Sequence, residues 1–392
     1  MLETETRQHT SRPLSAEPIG VCHIASGDCW AGAEVQVATL LRSLSAKNEF
    51  RMSAIFLNEG RLGEEARKCG VEVTVIPEHS NGFFEILSKA AQFFHGKSVQ
   101  ILHSHRYKES LLSAFLAHRC RIPHVIRTQH GLLEPRPGYK GLKQALIHAV
   151  DRCALNWTAD RVIGVSSDVT NRLRKHVRAG KVVTIFNGVD RDVVRSSLNV
   201  AEAKRRLGIP VDCMAIGTAG RLERVKRLDI FLGAAKLIAT QHSKTRFVIA
   251  GDGSERLRLQ AFAHKLGIAH LVHFLGHRND VFDVLRAFDI LVICSDHEGL
   301  PMVLLEALLL GVAVVSRRVG GISEVIEDNR TGVLVASDSP SALAEACLGV
   351  LADEAHRREL GIAGRARTLE KFSAEQTGLQ IAQLYRSLVA ST

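Results

Sequence analysis

The chain has 392 residues, 46% of them hydrophobic and 23% charged, with a net charge of +10 at neutral pH. That length exceeds one ordinary core and makes two domains the natural expectation, and the composition excludes disordered and fibrous classes. No apolar run approaches the roughly 18 residues that a membrane span needs. The first 18 residues, MLETETRQHTSRPLSAEP, are polar and lack the apolar core of a secretory leader, so they read as a loose arm. Short runs rich in Val and Ile follow: IGVCHIA, MSAIFL, VEVTVI, VQILHS, HVIRT, RVIGVS and VVTIF. Segments with helical spacing separate them. In the one over 33–46, Val37, Leu40, Leu41 and Leu44 share a face. Strand then helix, repeated, predicts a parallel sheet covered on both sides. The charged stretch 191–212, with its Gly and Pro, breaks this pattern, and six further runs follow: MAIGTA, RFVIAG, LVHFLG, DILVICS, VAVVS and GVLVA. The fold class is therefore α/β, with two doubly wound domains over 19–195 and 196–370 and a terminal helix within 371–392.

The charge is not spread evenly. Between residues 101 and 190 there are 15 Lys and Arg against 6 Asp and Glu, so nearly the whole surplus sits in one quarter of the chain. Such a face attracts nucleic acid, anionic lipid or a phosphorylated substrate. Aromatics are only 5%, and no base-stacking or recognition motif stands near the basic stretch, which argues against nucleic acid. The eight cysteines stand singly, without a C-x-x-C pair. They read as free thiols of a reducing cytosol rather than as disulfides or a zinc site.

In doubly wound sheets ligands bind beyond the carboxyl ends of the strands. The segments there are SGDCWAGAE, HSHRYKE and QHGLLEP in the first half, and GRLERVKR, GDGSE, SDHEGLP and RRVGGISE in the second. Glycines, cations and carboxylates gather in them. Arg221 and Lys226, five apart before a helix that starts near Leu228, can hold a diphosphate without a metal. Arg224 and Arg227 nearby allow the plainer reading of surface charge. Glu298 follows a strand, Gly299 lets the chain turn closely, and Pro301 suits the first position of a helix running to Leu310. Glu306 sits inside that helix although its neighbours one turn away, Met302, Val303, Leu309 and Leu310, are apolar. An all-apolar helix is a buried one, and a buried carboxylate costs several kcal/mol unless something pairs with it. Paired hydroxyls, as on a ribose, would satisfy it, and so would a structural hydrogen-bond network. Gly32 opens a helix where backbone can approach a phosphate. His130 ends a strand and can bind a sugar hydroxyl or shuttle a proton. His103 and His105 alternate at a strand end as metal ligands do, but no third ligand stands at useful spacing. No Walker motif, complete G-x-G-x-x-G or G-x-S-x-G elbow occurs.

The segments AGRLERVKRLDIFLGAAKLI, FVIAGDGSE, VHFLGH and SDHEGLPMVLLEALLLGVAVVSRRVGGISEVIEDNRTGVLV, with AGAE, QHG and FNGVD before them, resemble retaining family 4 glycosyltransferases of the GT-B fold. The core of the likeness is E-x7-E, Glu298 to Glu306, followed by GG-x-x-E. The resemblance implies a nucleotide-sugar donor between the two Rossmann-like domains, with Arg221 and Lys226 on its diphosphate, which removes the need for a metal or any cofactor. It implies Glu306 on the ribose, Glu298 with the backbone of Gly299 and Leu300 positioning the sugar, Gly32 near the phosphates and His130 facing the sugar. The first domain would take a glycan or lipid-linked acceptor, and the terminal helix would cross back onto that domain. The implied enzyme is a hexosyltransferase of polysaccharide biosynthesis, cytoplasmic and peripheral on an anionic membrane surface. The chain departs from the family in having Ala31 before Gly32 and Arg227 after Lys226, where glycines are usual, and Ser323 where proline is common. A nucleotide-sugar epimerase of related fold and a non-catalytic subunit that binds anionic lipid or glycan are the alternative classes.

Overall fold

The computed structural model describes residues 17–28, 30–131 and 138–391, so all but the last two residues of the polar arm lie outside the described residues. Each of the apolar runs is a strand. In the first half these are β1 (Ile19–Ala25), β2 (Phe50–Phe56), β3 (Glu72–Val75), β4 (Ile101–Ser104), β5 (His124–Gln129), β6 (Arg161–Gly164) and β7 (Val182–Thr184). In the second they are β8 (Met214–Ala219), β9 (Thr245–Ala250), β10 (Val272–Gly276), β11 (Ile290–Ile293), β12 (Ala313–Arg317) and β13 (Val333–Val335). The first set forms one parallel sheet in the order β3-β2-β1-β4-β5-β6-β7, and the second another in the order β10-β9-β8-β11-β12-β13.

Strand alternation sorts the side chains. Val21, Ala25, Ile101 and Ile126 lie in one core with helix Gly32–Ser45 and helix Ala374–Val389. Cys22, Ile24 and Leu102 face the opposite way, into a core with helices Phe83–Phe93 and Tyr107–Cys120. Both strand orders reverse at one place, between β1 and β4 and between β8 and β11. Those are the switch points where such sheets open a crevice beyond their carboxyl ends.

The chain passes between the halves twice, and the two passages are bonded side by side. Val189 pairs with Ser373; its N–H donates to the Phe372 carbonyl at 2.8 Å, and the Ala374 N–H donates back to the Val189 carbonyl at 3.0 Å. Helix Ala374–Val389 then returns to the first sheet and buries Ile381, Tyr385 and Leu388 in its core. Cys22, Cys213, Cys294 and Cys347 are buried free thiols. Among the described residues no helix is long and apolar enough to cross a membrane.

Candidate active site

Helix Met302–Leu309 is the apolar helix expected around Glu306: every residue in it except Val303 is buried. Pro301 differs from expectation. Its ψ of 129° is extended, so it caps the helix rather than opening it. Glu306 is 6% exposed, and no described group donates a hydrogen bond to its carboxylate. It therefore does not anchor a structural network. Burial pushes its carboxyl up to about 7. Val303, one turn earlier on the same face, lines a recess shared with Thr218, Arg221, Lys226, Ser295 and Glu298.

That recess joins the ends of β8 and β11, the switch-point strands of the second sheet. Arg221 is exposed there, and its side chain has no hydrogen-bond or ion-pair partner among the described residues. Lys226 donates to Glu298 Oε1 at 2.6 Å, and the Ser295 hydroxyl donates to the same oxygen at 2.6 Å. Arg227 is tied down elsewhere, to Asp229 and, at 2.9 Å, to Asp296. Its φ of 48° is left-handed, which accounts for the glycine common at this place in the family. Here an arginine held by two carboxylates takes the strain, on the order of 1–2 kcal/mol. Of the four cations that local sequence could not rank, the side chains of Arg221 and Arg224 are both unengaged among the described residues, but only Arg221 of the two lines the recess. Lys226 lies against the candidate carboxylate and Arg227 is structural.

Close glycine packing holds the Glu298 loop in place. A Cβ on Gly299 would lie 2.2 Å from the His130 carbonyl oxygen, and one on Gly320, whose φ is +49°, would lie 1.9 Å from the Glu298 carbonyl oxygen. The Gly321 N–H donates to the Gly299 carbonyl at 2.9 Å. The two glycines of GG-x-x-E are thus the seat of the Glu298–Gly299 peptide. The glutamate of that motif, Glu324, spans the halves and accepts from the Ser167 N–H at 2.8 Å and from its hydroxyl at 2.5 Å. Asn187 of the first half donates to the Leu300 carbonyl at 2.9 Å. The N–H groups of Gly299 and Leu300 donate to nothing among the described residues and are free for a ligand. Across the seam, Gly32 starts its helix behind Ala31, which offers no side-chain cap. A Cβ at Gly32 would meet only Met302 Cγ, at 3.8 Å, so the protein's own packing does not require a glycine there.

The histidines depart most from the sequence reading. His103 and His105 do have a third partner, His23, 80 residues earlier in the chain; one ring nitrogen from each lies within 4.8 Å of the others. β1 runs beside β4 with His23 in register with His103, a pairing that no local spacing reveals. His130 is bonded to His105, and its own Nδ1 is buried without a partner among the described residues. Burial holds the His130 ring down to about 3, so it is neutral.

A family model described as glycosyl transferases group 1 matches residues 199–367, and one described as glycosyltransferase family 4 matches residues 30–193. The N-acetyl-alpha-D-glucosaminyl L-malate synthase of Bacillus anthracis is 28% identical over 309 residues, 76% of this chain and 78% of its own. The D-inositol 3-phosphate glycosyltransferase of Geodermatophilus obscurus is 30% identical over 318 residues, 74% of this chain and 67% of its own. The structure of Anabaena Alr3699/HepE in complex with UDP-glucose matches with a TM-score of 0.83 at 20% identity, over 94% of this chain and 100% of that one.

Proposed function

This chain belongs to the glycosyltransferases, a family 4 first half joined to a group 1 second half in the GT-B fold, and on that premise we propose that it moves a sugar from a nucleoside-diphosphate sugar to a glycan or lipid-linked acceptor with retention at the anomeric carbon and without a metal. The observation that carries this is Glu306: a buried carboxylate with no partner among the described residues, on the recess-lining face of its helix, suits paired ribose hydroxyls. Arg221 and Lys226 then take the diphosphate and stabilise the leaving group, the work a metal would otherwise do. The free N–H groups of Gly299 and Leu300, with Glu298, position the sugar; Gly32 approaches the phosphates and His130 meets the sugar from the first half. Donor binding draws Lys226 from Glu298 toward the phosphate and leaves that carboxylate beside the positive charge developing on the sugar. Attack comes from the face the phosphate leaves, and the departing phosphate takes the acceptor proton. Glu298 acts by charge and position, not as a covalent nucleophile.

In this reading residues 196–370 hold the donor and residues 19–195 the acceptor, with 371–392 bracing the two. The first half also exposes Phe83, Phe84, Phe115 and Trp157, and residues 101–190 carry the surplus of cations, which together support an acceptor at an anionic membrane surface. The test is nucleotide release from UDP-, GDP- and ADP-sugars, with and without a chelator, for the wild type and Glu298→Gln. We expect turnover with one donor class that survives chelation, and loss of most of it in Glu298→Gln while nucleotide affinity stays within about threefold. An isomerised sugar formed without acceptor would establish the epimerase instead. Turnover unchanged in Glu298→Gln would remove that residue's role.

A further inference from the structure

The first half contains a polar chain that donor binding by the second half does not use. His103 Nε2 bonds Thr128 Oγ1 at 2.7 Å, and His103 Nδ1 bonds the Tyr385 hydroxyl at 2.6 Å. The same hydroxyl bonds His23 Nε2 at 3.2 Å. His23 Nδ1 bonds His105 Nε2 at 2.9 Å, and His105 Nδ1 bonds His130 Nε2 at 3.2 Å. Strand alternation puts them together: His103 and His105 are two apart, as are Thr128 and His130, and His23 lies in register with His103. The result is one unbranched line from Thr128, through Tyr385 on the terminal helix, to His130 at the seam beside Gly299. Its far end, His130 Nδ1, is a buried ring nitrogen without a partner among the described residues, the kind of atom that calls for a ligand.

All four rings are buried enough to be neutral: His23 and His130 are pushed down to about 3, and His103 and His105 lie well below the usual imidazole range. A neutral imidazole carries one N–H, so each ring must donate at one nitrogen and accept at the other. The Tyr385 hydroxyl has one proton to give. Only two arrangements satisfy every link. If Tyr385 donates to His103, all four rings carry their proton on Nε2, and His130 Nδ1 is a bare acceptor. If Tyr385 donates to His23, all four carry it on Nδ1, and His130 presents an N–H. Both arrangements hold the same number of protons, one on each ring and each hydroxyl.

We propose that these six groups form a relay with two polarities, in which the Tyr385 hydroxyl sets whether His130 offers a lone pair or an N–H to a hydroxyl of the donor sugar. Tyr385, His23 and His105 are then positioning residues that act through His130. The sugar contact rests on the donor reading above; the relay itself does not. A zinc ion among His23, His103 and His105 is the competing use of these rings, but every nitrogen of the three is already occupied in the line.

The test is two-bond 1H–15N spectroscopy of the full chain labelled in histidine, which reports the protonated nitrogen of each ring. We expect one tautomer shared by His23, His103, His105 and His130. Tyr385→Phe removes the hydroxyl and leaves two buried nitrogens facing a phenyl ring. An orphaned N–H is the rarer burial, so His103 should settle on Nε2–H. The other three stay linked and leave one N–H without a protein partner, on His23 Nε2 or His130 Nδ1. Because His23 is fully buried while His130 is half-buried at the seam, that N–H falls to His130 and all three carry Nδ1–H. The uniform set thus becomes a split one, with an effect at His130 three hydrogen bonds from the change. His105→Asn keeps a hydrogen-bonding group beside His130 but cuts its link to His23, and should make His130 insensitive to Tyr385→Phe. Mixed tautomers in the wild type, an unsplit set in Tyr385→Phe, or stoichiometric zinc in the protein as isolated would overturn the relay. Titration with UDP-, GDP- and ADP-glucose should move the His130 nitrogens with the class that is turned over. His130 signals that stay fixed while that donor is consumed would overturn the link to the sugar, and absence of turnover with every donor would instead count against the transferase reading.

Discussion

Glu306 makes the sharpest prediction because its two roles pull in opposite directions. Its carboxyl is held at about 7 by burial, against an ordinary 4.5, a gap worth about 3 kcal/mol. The sign follows from where the protons are. Below pH 4.5 the group is protonated folded and unfolded, and it costs nothing. Between 4.5 and 7 the unfolded chain ionises first, so stability falls as pH rises. Above 7 the full penalty of about 3 kcal/mol applies. Glu306→Gln keeps the shape without the charge. It should leave stability at pH 4.5 almost unchanged and raise it by about 3 kcal/mol at pH 8, a rise of roughly 4 °C in the unfolding midpoint of a chain of this length. The same substitution removes charge-assisted hydrogen bonds to ribose hydroxyls, worth about 1.5–3 kcal/mol, so the nucleoside diphosphate of the donor class that is turned over, UDP where that class is the UDP-sugars, should bind roughly 10- to 150-fold more weakly. Calorimetry of UDP binding to the wild type at pH 7 should also show proton release, because hydroxyl donors favour the ionised carboxylate. Denaturation across pH and UDP titration of both proteins check the pair of effects. A Glu306→Gln variant that is less stable at pH 8, or that binds UDP as well as the wild type, would refute the reasoning.

Three other outcomes follow from the same geometry. Arg221→Ala should weaken UDP binding by roughly 10- to 100-fold, and equal affinity by calorimetry would exclude it from the diphosphate site. Gly320→Ala drives a Cβ to 1.9 Å from the Glu298 carbonyl at a left-handed backbone. It should lower turnover on the order of 100-fold through misplacement of Glu298, with UDP affinity little changed; normal turnover would show that the glycine seat is not needed. Sedimentation with anionic liposomes should carry the wild type down, and Phe84→Ser with Trp157→Ser should reduce this, as both rings are exposed; equal binding to neutral liposomes would count against an anionic surface.

Much of the site was legible because its signals are local. Glu306 betrayed itself as a charge with no polar face on its helix, and the glycines of RRVGGISE marked a close approach before the surface they approach was known. The paired cations before Leu228 were visible but not ranked: Arg221, Arg224, Lys226 and Arg227 look alike in a string, and only the placement of Asp229, Asp296 and Glu298 separates the engaged from the free. Arg227 in place of a glycine is visible in the sequence as a departure; its left-handed φ shows the constraint that glycine ordinarily meets.

By itself the sequence determined the strands, their burial on two faces, the two-part division and the short motifs at the strand ends, since each follows from side-chain periodicity or from a residue's own backbone preferences. The tertiary structure alone decided what lies beside what. Strand order is a long-range outcome, and β1 beside β4 is what sets His23 against His103 and His105, with Tyr385 brought over them from the far end of the chain. Hydrogen bonds of that kind join residues hundreds of positions apart, and no local pattern encodes them.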